Sequence, residues 1–262
     1  NWLIVENYEN LVAEVNIKID KELKWDRKKK VKCKEVPLVW IFSQEVAGYF
    51  FHECIGHILE EDIFRRTNYN VGDMFFGNRL NIYENWEKEI SFDDFGKRTK
   101  ERICLVKNGK IENILSGYNP MQDSSTGNAF TEEVYFPPRV RMNSMFVEAE
   151  NMTGKIYENV KVAMYVEEVS GGECEPFSGE VGLCVKKAYI VINDKKVVAL
   201  EPFSLLLNLR DLKKAEIKVG DNKKTMHSLC FKYGAIKKIK YTTPEILIDW
   251  RKSSEYITNR DF

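Results

Sequence analysis

The most constraining feature of the chain is a short segment that holds two of its three histidines, with a glutamate directly after the first. The segment reads His52-Glu53-Cys54-Ile55-Gly56-His57. Two neutral imidazoles can bind Zn²⁺, which lowers the pKa of bound water to about 7, and a carboxylate outside the metal can accept a proton from that water. The segment therefore indicates a metal-dependent hydrolase. The plainer alternative is a pair of core histidines beside a solvated acid.

The spacing of the two histidines differs from the H-E-x-x-H pattern of zinc peptidases, in which they stand at i and i+4. Here they stand at i and i+5, and a regular α-helix would turn by about 140° between such positions. We therefore expect either a π-type widening of the helix or a helix end near His57. Gly56 would permit either, because without a Cβ it tolerates unusual backbone geometry and close approach by another group.

The pattern around the motif predicts one strand followed by one helix. The apolar run at residues 37–42 reads as a buried strand, and residues 47–51 lead into a helix that continues to about Phe64 or Arg65. Further along, short alternating runs indicate strands, with Asn108-Gly109 and Asn193-Asp194 typical of hairpin turns. A second helix is expected over residues 202–212. The predicted fold class is α+β, mostly antiparallel β-sheet with one strand-helix unit that carries the histidine motif.

The spacing of the residues alone does not identify the third protein ligand of the metal. Catalytic zinc usually has three protein ligands and one free position, and the candidates by residue type are cysteine, aspartate, glutamate and His227. One alternative, resembling dipeptidyl peptidase III, takes a glutamate from a later helix. The acidic pairs Glu132-Glu133 and Glu167-Glu168 fall in stretches predicted as loop or strand, which disfavours that alternative.

A series of short motifs follows along nearly the whole chain. Residues 52–62 are similar to H-E-A-V-G-H-G-L-E-G-D, residues 91–96 to I-D-D-E-G, and residues 228–234 to V-C-G-K-x-G. Residues 118–123 and 126–128 are similar to Y-M-Q-D and T-G-N. In this order the motifs resemble the TldD/PmbA family, and within it the TldD type, which carries the metal motif that the PmbA (TldE) type lacks.

The resemblance implies a zinc site formed by His52, His57 and Cys230, with Glu53 as the general base. A thiolate is a good zinc ligand, and coordination would deprotonate Cys230 outright. Without the resemblance, Cys230 would read as a small buried hydrophobic residue. The resemblance thus supplies the third ligand that the spacing leaves open.

The implied activity is hydrolysis of unstructured peptides, in peptide maturation or degradation. The resemblance implies the metal-bearing subunit of a homodimer, or of a heterodimer with a metal-free TldE/PmbA-type homologue. An extended peptide can add as a strand to an exposed sheet edge. The candidate contacts are Gly171 and Gly172, which are predicted to form a turn, together with Asn128 and Arg141. The remaining alternative is a non-catalytic partner subunit of a heterodimeric peptidase.

Some positions near the motifs refine this interpretation. Glu60 or Asp62 are the nearest candidates to orient the imidazoles. Phe231 replaces a family glycine, Ala235 replaces a glutamine, and basic residues around Lys237 replace a P-V-G run. These departures indicate a divergent member whose cleft and substrate preference differ from those of its relatives.

Family members carry an additional N-terminal domain. Residues 1–36 are therefore expected to be a lead-in segment or a remnant of that region, and residues 37–262 a zinc metalloprotease-like domain.

The 262 residues, 44% of them hydrophobic, suffice for a full core. Forty basic and forty acidic residues leave no net charge, which argues against general nucleic-acid binding. The basic run at residues 27–34 reads as a solvated strand or linker.

The six cysteines do not read as a disulfide framework, because the chain is rich enough in apolar residues to need none and no secretory leader is visible. Cys54 is expected to pack in the core. No apolar run approaches the roughly 20 residues needed to cross a bilayer. The lack of targeting signals, together with the resemblance, implies a cytoplasmic location without membrane association.

Overall fold

The computed structural model describes residues 8–77, 80–85, 92–117, 125–133, 135–154, 156–232, 234–251 and 259–260. The α-helices are Tyr8–Asp26 (α1), Gln44–Phe51 (α2) and Glu61–Phe64 (α3). The π-helical segment His52–Gly56, here called the π-turn, follows α2 directly, and a 3₁₀-helix spans Leu209–Lys214. Within these ranges no helix is both long and apolar enough to cross a membrane.

The strands follow in chain order. They are Lys30–Val31 (β1), Val39–Phe42 (β2), Leu80–Asn85 (β3), Arg102–Lys107 (β4), Lys110–Ile111 (β5), Ala129–Phe130 (β6), Arg139–Val140 (β7), Ser144–Ala149 (β8), Met152–Thr153 (β9), Val162–Cys174 (β10), Glu180–Ile192 (β11), Lys195–Leu200 (β12), Phe203–Asn208 (β13), Glu216–Lys232 (β14), Ala235–Asp249 (β15) and Asn259–Arg260 (β16).

Most of these strands belong to one sheet, in the order β1-β12-β11-β10-β2-β15-β8-β3-β4-β5. β13 pairs with β11 and β16, and β14 pairs with β15 and β9. Antiparallel pairing prevails, as in the long hairpins β10–β11 and β14–β15, while β2 lies parallel to β10 and β8 lies parallel to β15. β6 and β7 form a separate small ladder. The α+β class predicted from the sequence is confirmed.

β2 lies near the middle of the sheet, and both of its faces are covered. Trp40 and Phe42 face the larger core cluster, whereas Val39 and Ile41 face the smaller one. A strand buried on both faces appears in a sequence as a continuous apolar run rather than as an alternation. This explains the unbroken apolar stretch that predicted the strand.

α2 carries the chain from β2 to the π-turn and packs on β15. Ser43 caps the helix, because its hydroxyl oxygen accepts the Val46 N–H at 3.2 Å. Gly48 faces β15 so closely that a Cβ there would overlap Cδ2 of Tyr241. The glycine therefore permits α2 to pack closely on β15.

α1 contacts the opposite face of the sheet. Trp25, buried near its C-terminus, packs edge-on against Tyr189 with 5.4 Å between ring centroids. Glu22 forms ion pairs with Lys186 and Lys187 of β11. The run at residues 27–34 is mostly exposed, and β1 within it pairs with β12.

The hairpin predictions are confirmed. Asn108 and Gly109 have positive φ angles between β4 and β5, as have Asn193 and Asp194 between β11 and β12. The predicted strand at residues 37–42 corresponds to β2. The predicted end of the motif helix near Phe64 also agrees, although Glu60 adopts extended backbone and separates α3 from the π-turn.

Two predictions of local structure are wrong. The helix expected over residues 202–212 is β13 followed by the 3₁₀-helix, because alternate leucines of β13 are buried while its backbone pairs with β11. Gly171 and Gly172 do not form a loop turn but lie inside β10, after an irregularity near Ser170. A Cβ on Gly172 would lie 2.6 Å from the Gly182 carbonyl oxygen, so the glycine reflects close strand contact.

Candidate metal centre

The π-turn brings the two histidines of the motif together. Its defining hydrogen bond runs from the His57 N–H to the His52 carbonyl oxygen, five residues back, at 3.1 Å. The extra residue per turn compensates for the i, i+5 spacing, and the two imidazole centroids lie 4.7 Å apart. Of the two alternatives that the sequence left open, the structure has the π-type widening.

Gly56 makes room at the π-turn for a side chain from another part of the chain. A Cβ at Gly56 would lie 2.8 Å from Sδ of Met142, and its φ angle is not positive. The expectation of close approach is therefore confirmed, whereas unusual backbone geometry is not the reason for the glycine. Met142 packs where a larger residue at this position would stand.

Cys230 completes a cluster with the two histidines. It lies on β14, is 3% exposed, and its Sγ is 3.3 Å from Nε2 of His57. One potential ligand atom from each of His52, His57 and Cys230 can be chosen so that all three lie within 4.8 Å of one another. Within the described part of the chain, no other group of three histidine, cysteine or acidic side chains meets this criterion.

The environment of His52 fits a metal ligand. Its Nε2 is buried and has no hydrogen-bond partner, although buried polar atoms are normally paired. Burial lowers the pKa of His52 well below its ordinary value, so the imidazole is neutral and retains a free lone pair. Two imidazoles and a thiolate are also a donor set that suits zinc. The residues present therefore fit such an ion.

Glu60 orients His57. Its Oε2 lies 3.1 Å from His57 Nδ1, and its Oε1 accepts the Met142 N–H at 2.8 Å. The Lys232 ammonium forms an ion pair with the same carboxylate. A carboxylate on Nδ1 holds the proton there and leaves Nε2, which faces Cys230, free to bind a metal.

The same contacts shift the pKa values of His57 and Glu60. Burial alone would lower the pKa of His57, but the Glu60 carboxylate and the Cys230 sulfur raise it to about 10 in the protein without metal. Burial would raise the pKa of Glu60, but His57 and Lys232 lower it to about 2. Glu60 is thus a fixed negative charge beneath the imidazole.

Glu53 lies at the partly exposed edge of the cluster. Its side chain is 20% exposed, and Oε2 is 3.6 Å from Nε2 of His57. Burial raises the pKa of Glu53, which makes it a better proton acceptor than a solvated carboxylate. It is therefore both reachable from solvent and close to the ligand atoms.

Arg141 and Asn128, two of the predicted peptide contacts, are both buried. Arg141 is 2% exposed, and its guanidinium donates to the carbonyl oxygens of Cys230 and Lys232 and to Sγ of Cys230. Asn128 is buried, and its amide nitrogen donates to Glu84. Arg141 thus contacts Cys230, and Asn128 contacts the buried Glu84. Gly171 and Gly172, inside β10, are held near α2 by the Tyr49 hydroxyl, which donates to the Gly172 carbonyl.

A second buried acid, Glu84 of β3, anchors the segment that carries Arg141. Its Oε1 accepts from the backbone and side chain of Asn143 and from the Ser144 N–H. Burial raises the pKa of Glu84 to about 7 and lowers the pKa of nearby Lys237 to about 8. Sequence reasoning missed this residue, because no pattern in β3 distinguishes it from a solvent-facing glutamate.

Other sequence candidates lie elsewhere. His227 is three residues before Cys230 on the same strand, so its side chain points to the opposite face. Glu167 and Glu168 form ion pairs with Lys196 and Lys187. Cys54 is fully buried in the core, as expected. The motif at residues 118–123 lies outside the described residues.

Comparison with known proteins gives a consistent result. The PmbA/TldA metallopeptidase C-terminal domain matches residues 38–251. The chain is 26% identical over 191 residues to a metalloprotease TldD homolog of Buchnera aphidicola, covering 68% of this chain and 39% of that protein. It is 25% identical over 178 residues to a zinc metalloprotease TldD homolog of Saccharolobus solfataricus, covering 63% of this chain and 39% of that protein.

A solved structure supports the same fold. The crystal structure of TldE from Thermococcus kodakarensis superposes with a TM-score of 0.68 at 17% identity, covering 87% of this chain and 52% of that chain. The matches to the two curated relatives span only 39% of their length. At 17% identity, the likeness to the TldE structure concerns the fold alone.

Proposed function

This chain belongs to the PmbA/TldD metallopeptidase family, and from that premise we propose that it is a zinc-dependent peptidase that hydrolyses unstructured peptides. The observation that carries the proposal is the convergence of His52, His57 and Cys230, whose ligand atoms lie within 4.8 Å of one another. The unpaired, buried Nε2 of His52 supports it independently. Residues 37–262 form the metalloprotease-like domain in this proposal.

The residues of the centre have distinct tasks. When bound, Zn²⁺ supplies a Lewis acid that acidifies water and polarises a carbonyl oxygen. His52, His57 and Cys230 would hold the ion, and Glu60 keeps the proton of His57 on Nδ1. Glu53 accepts a proton from the attacking water and returns it to the amide nitrogen as the peptide bond breaks.

The contacts of the acidic residues favour this ligand set over one with a glutamate. Glu167 and Glu168 are bound to lysines of β11 and β12, away from the histidines. Glu60, which is near His57, contacts Nδ1 and not the nitrogen that faces Cys230. A glutamate as third ligand, as in the alternative zinc exopeptidase, has no comparable support.

The substrate and partner are part of the same proposal. A cavity beside the centre is lined by Phe130, Phe136, Arg141 and Lys232, among others, and offers apolar surface to a peptide side chain. The names of the relatives, which are metalloproteases, support peptide hydrolysis. As the partner we propose a second copy of this chain or a metal-free TldE/PmbA-type homologue. We place the activity in the cytoplasm.

The experiment that tests the function combines metal analysis with a peptide assay. Zinc is measured in the purified wild-type chain and in the His52→Ala and Cys230→Ala variants. Matched controls are His227→Ala and Cys184→Ala, which remove the same residue types outside the centre. An unfolded peptide is offered to the wild type and to Glu53→Ala, alone and with a TldE-type homologue.

We expect about one zinc per chain in the wild type and in both controls, and its loss from His52→Ala and Cys230→Ala. Hydrolysis should disappear in Glu53→Ala. Full zinc in Cys230→Ala would contradict the ligand set and favour a glutamate ligand. If the wild type binds zinc but hydrolyses no peptide, either alone or with the TldE-type homologue, a non-catalytic subunit would be favoured.

A further inference from the structure

Arg141 is buried beside Cys230 and contacts it twice. Nη2 lies 3.1 Å from the Cys230 carbonyl oxygen and 3.1 Å from Sγ, and Nη1 lies 3.2 Å from the Lys232 carbonyl oxygen. One guanidinium thus spans two residues of β14 and reaches the ligand atom itself. A planar fork with five donors is suited to such a set of contacts, whereas a single ammonium is not.

The backbone of Arg141 is fixed from both sides. Its N–H donates to the Asn128 carbonyl oxygen at 2.9 Å, and the next N–H, that of Met142, donates to Glu60 at 2.8 Å. Asn143 is in turn held by Glu84. The segment therefore contacts both the group that orients His57 and the strand that carries Cys230, and the guanidinium has little freedom to turn away.

The chemistry of the contact fixes the direction of the hydrogen bond. A guanidinium is always protonated in proteins and has no acceptor, so the Cys230 sulfur accepts in this hydrogen bond. Hydrogen bonds to an ionised partner are stronger than neutral ones. Arg141 holds this fixed positive charge 3.1 Å from the sulfur, and both side chains are buried.

We propose that Arg141 is a positioning residue for the Cys230 thiolate, fixing its rotamer for metal binding and withdrawing charge from its sulfur. The inference rests on the proposed role of Cys230 as a ligand. A sulfur that accepts a hydrogen bond donates less charge to the metal, so the ion remains a stronger Lewis acid. Arg141 is thus a support of the site, and no contact of Arg141 with the peptide is needed.

Cobalt provides a readout that activity alone does not. Co²⁺ is loaded into the wild type, Arg141→Met, Arg141→Lys and Cys230→Ser, and the sulfur-to-cobalt charge-transfer absorption is recorded. Zinc affinity is measured on the same proteins by competition with a chromophoric chelator, and thermal unfolding checks that each is folded. Arg139→Met is the matched control for metal binding, since it removes an exposed arginine two residues away.

The wild type should show the charge-transfer band, and Cys230→Ser should lack it. Without the hydrogen bond, the band of Arg141→Met should move to longer wavelength and zinc affinity should fall about 10- to 100-fold, as for other groups that orient metal ligands. Arg141→Lys keeps the charge but not the fork, so it should fall between the wild type and Arg141→Met. Arg139→Met should match the wild type.

The outcomes separate the two proposals. A band that persists in Cys230→Ser, or is missing from the wild type, refutes Cys230 as a ligand and with it the proposed function. In another outcome, the wild type shows the band and Cys230→Ser lacks it, as expected, while a folded Arg141 variant has an unshifted band. That result overturns the role of Arg141 and leaves the role of Cys230 intact. If both variants fail to fold, a crystal structure of the zinc-loaded wild type decides: Nη2 of Arg141 within about 3.5 Å of Sγ supports the inference, since sulfur contacts are longer than those of oxygen, and a guanidinium turned away from the sulfur refutes it.

Discussion

The imidazole side and the thiol side of the candidate metal centre are built in different ways. His52, Glu53 and His57 come from one short segment, and their arrangement depends on the π-turn, in which the His57 N–H donates to the His52 carbonyl oxygen. Cys230 lies 173 residues after His57 and is held by Arg141 from yet another part of the chain. The imidazole side is thus a product of local geometry, whereas the thiol side depends on tertiary packing.

The two sides are joined by Glu60 and the segment that follows β7. Glu60 contacts His57 on one side and Lys232 of β14 on the other, while the Met142 N–H donates to the same carboxylate. A change on one side is therefore expected to affect the other through this carboxylate. The following predictions test how far the two sides act separately.

The largest effect is expected from Glu53→Gln. The amide is nearly the same size but cannot accept the proton, so hydrolysis of an unfolded peptide should fall at least about a hundredfold, in line with the contribution of general bases. Zinc content should be unchanged, because the proposed ligands are His52, His57 and Cys230. Glu45→Gln, an exposed glutamate at the start of α2, is the control and should retain activity. Loss of zinc from Glu53→Gln would show that the carboxylate is a ligand.

Glu60→Gln tests the connection between the two sides. It removes the charge that holds His57 Nδ1 and leaves the Lys232 ammonium with Asp62. Zinc affinity should fall about 10- to 100-fold. Glu61→Gln, which changes the neighbouring exposed ion pair with Arg65, should bind zinc as the wild type does. Equal affinity of Glu60→Gln and the wild type, measured by chelator competition, would mean that the imidazole needs no orienting acid.

Two glycines on the imidazole side should behave differently. A Cβ in Gly48→Ala overlaps the ring of Tyr241, so the free energy of unfolding should fall by about 1–3 kcal/mol, the usual cost of overpacking. In Gly56→Ala the new methyl group meets the flexible end of Met142, so stability should fall less, while zinc affinity should fall more. Urea unfolding of the metal-free variants and chelator competition give both quantities. The reverse order in either measurement would contradict the packing described for α2 and the π-turn.

The smallest effect is expected far from the centre, where Glu168 binds Lys186 and Lys187. Burial opposes the charge of Glu168, but hydrogen bonds from the lysines lower its pKa. Its contribution to stability is therefore full above the unfolded pKa of about 4.3 and is lost as the pH falls below that value. Glu168→Gln should lower Tm by a few degrees at pH 7, and the difference should be smaller at pH 3.

A matched control sharpens this last prediction. Glu167→Gln alters a more exposed pair, with Lys196, and surface pairs contribute little to stability. Its Tm should be close to that of the wild type at both pH values, and zinc content should be normal in both variants. An equal loss in Glu167→Gln and Glu168→Gln at pH 7 would contradict the part that burial plays in the Glu168 contacts.

The comparison of the two sides also explains what the sequence could predict. The unusual histidine spacing predicted a π-type widening or a helix end near His57, because helix geometry depends on neighbouring residues, and the structure has the widening. The Asn108-Gly109 turn was predictable for the same reason, since asparagine and glycine tolerate positive φ angles without help from the fold. Local patterns thus accounted for the strand, the helix, the hairpins and the imidazole side.

The features that were missed depend on distant contacts. β13 was mistaken for a helix because its leucines have no clear period until β11 pairs with it. Arg141 was a candidate peptide contact, and its hydrogen bond to Cys230 was missed because only the position of β14 brings the two side chains together. The identity of Cys230 as a candidate ligand came from the resemblance to a family, since nothing in the spacing of the chain singles it out among six cysteines.

The central claim is that two neighbouring imidazoles and one distant thiolate hold a single zinc ion. X-ray absorption at the zinc edge of the metal-loaded wild type measures the ligand types directly. The account predicts one sulfur at about 2.3 Å together with nitrogen neighbours at about 2.0–2.1 Å, and loss of the sulfur in Cys230→Ser. A zinc ion surrounded only by nitrogen and oxygen in the wild type would contradict it.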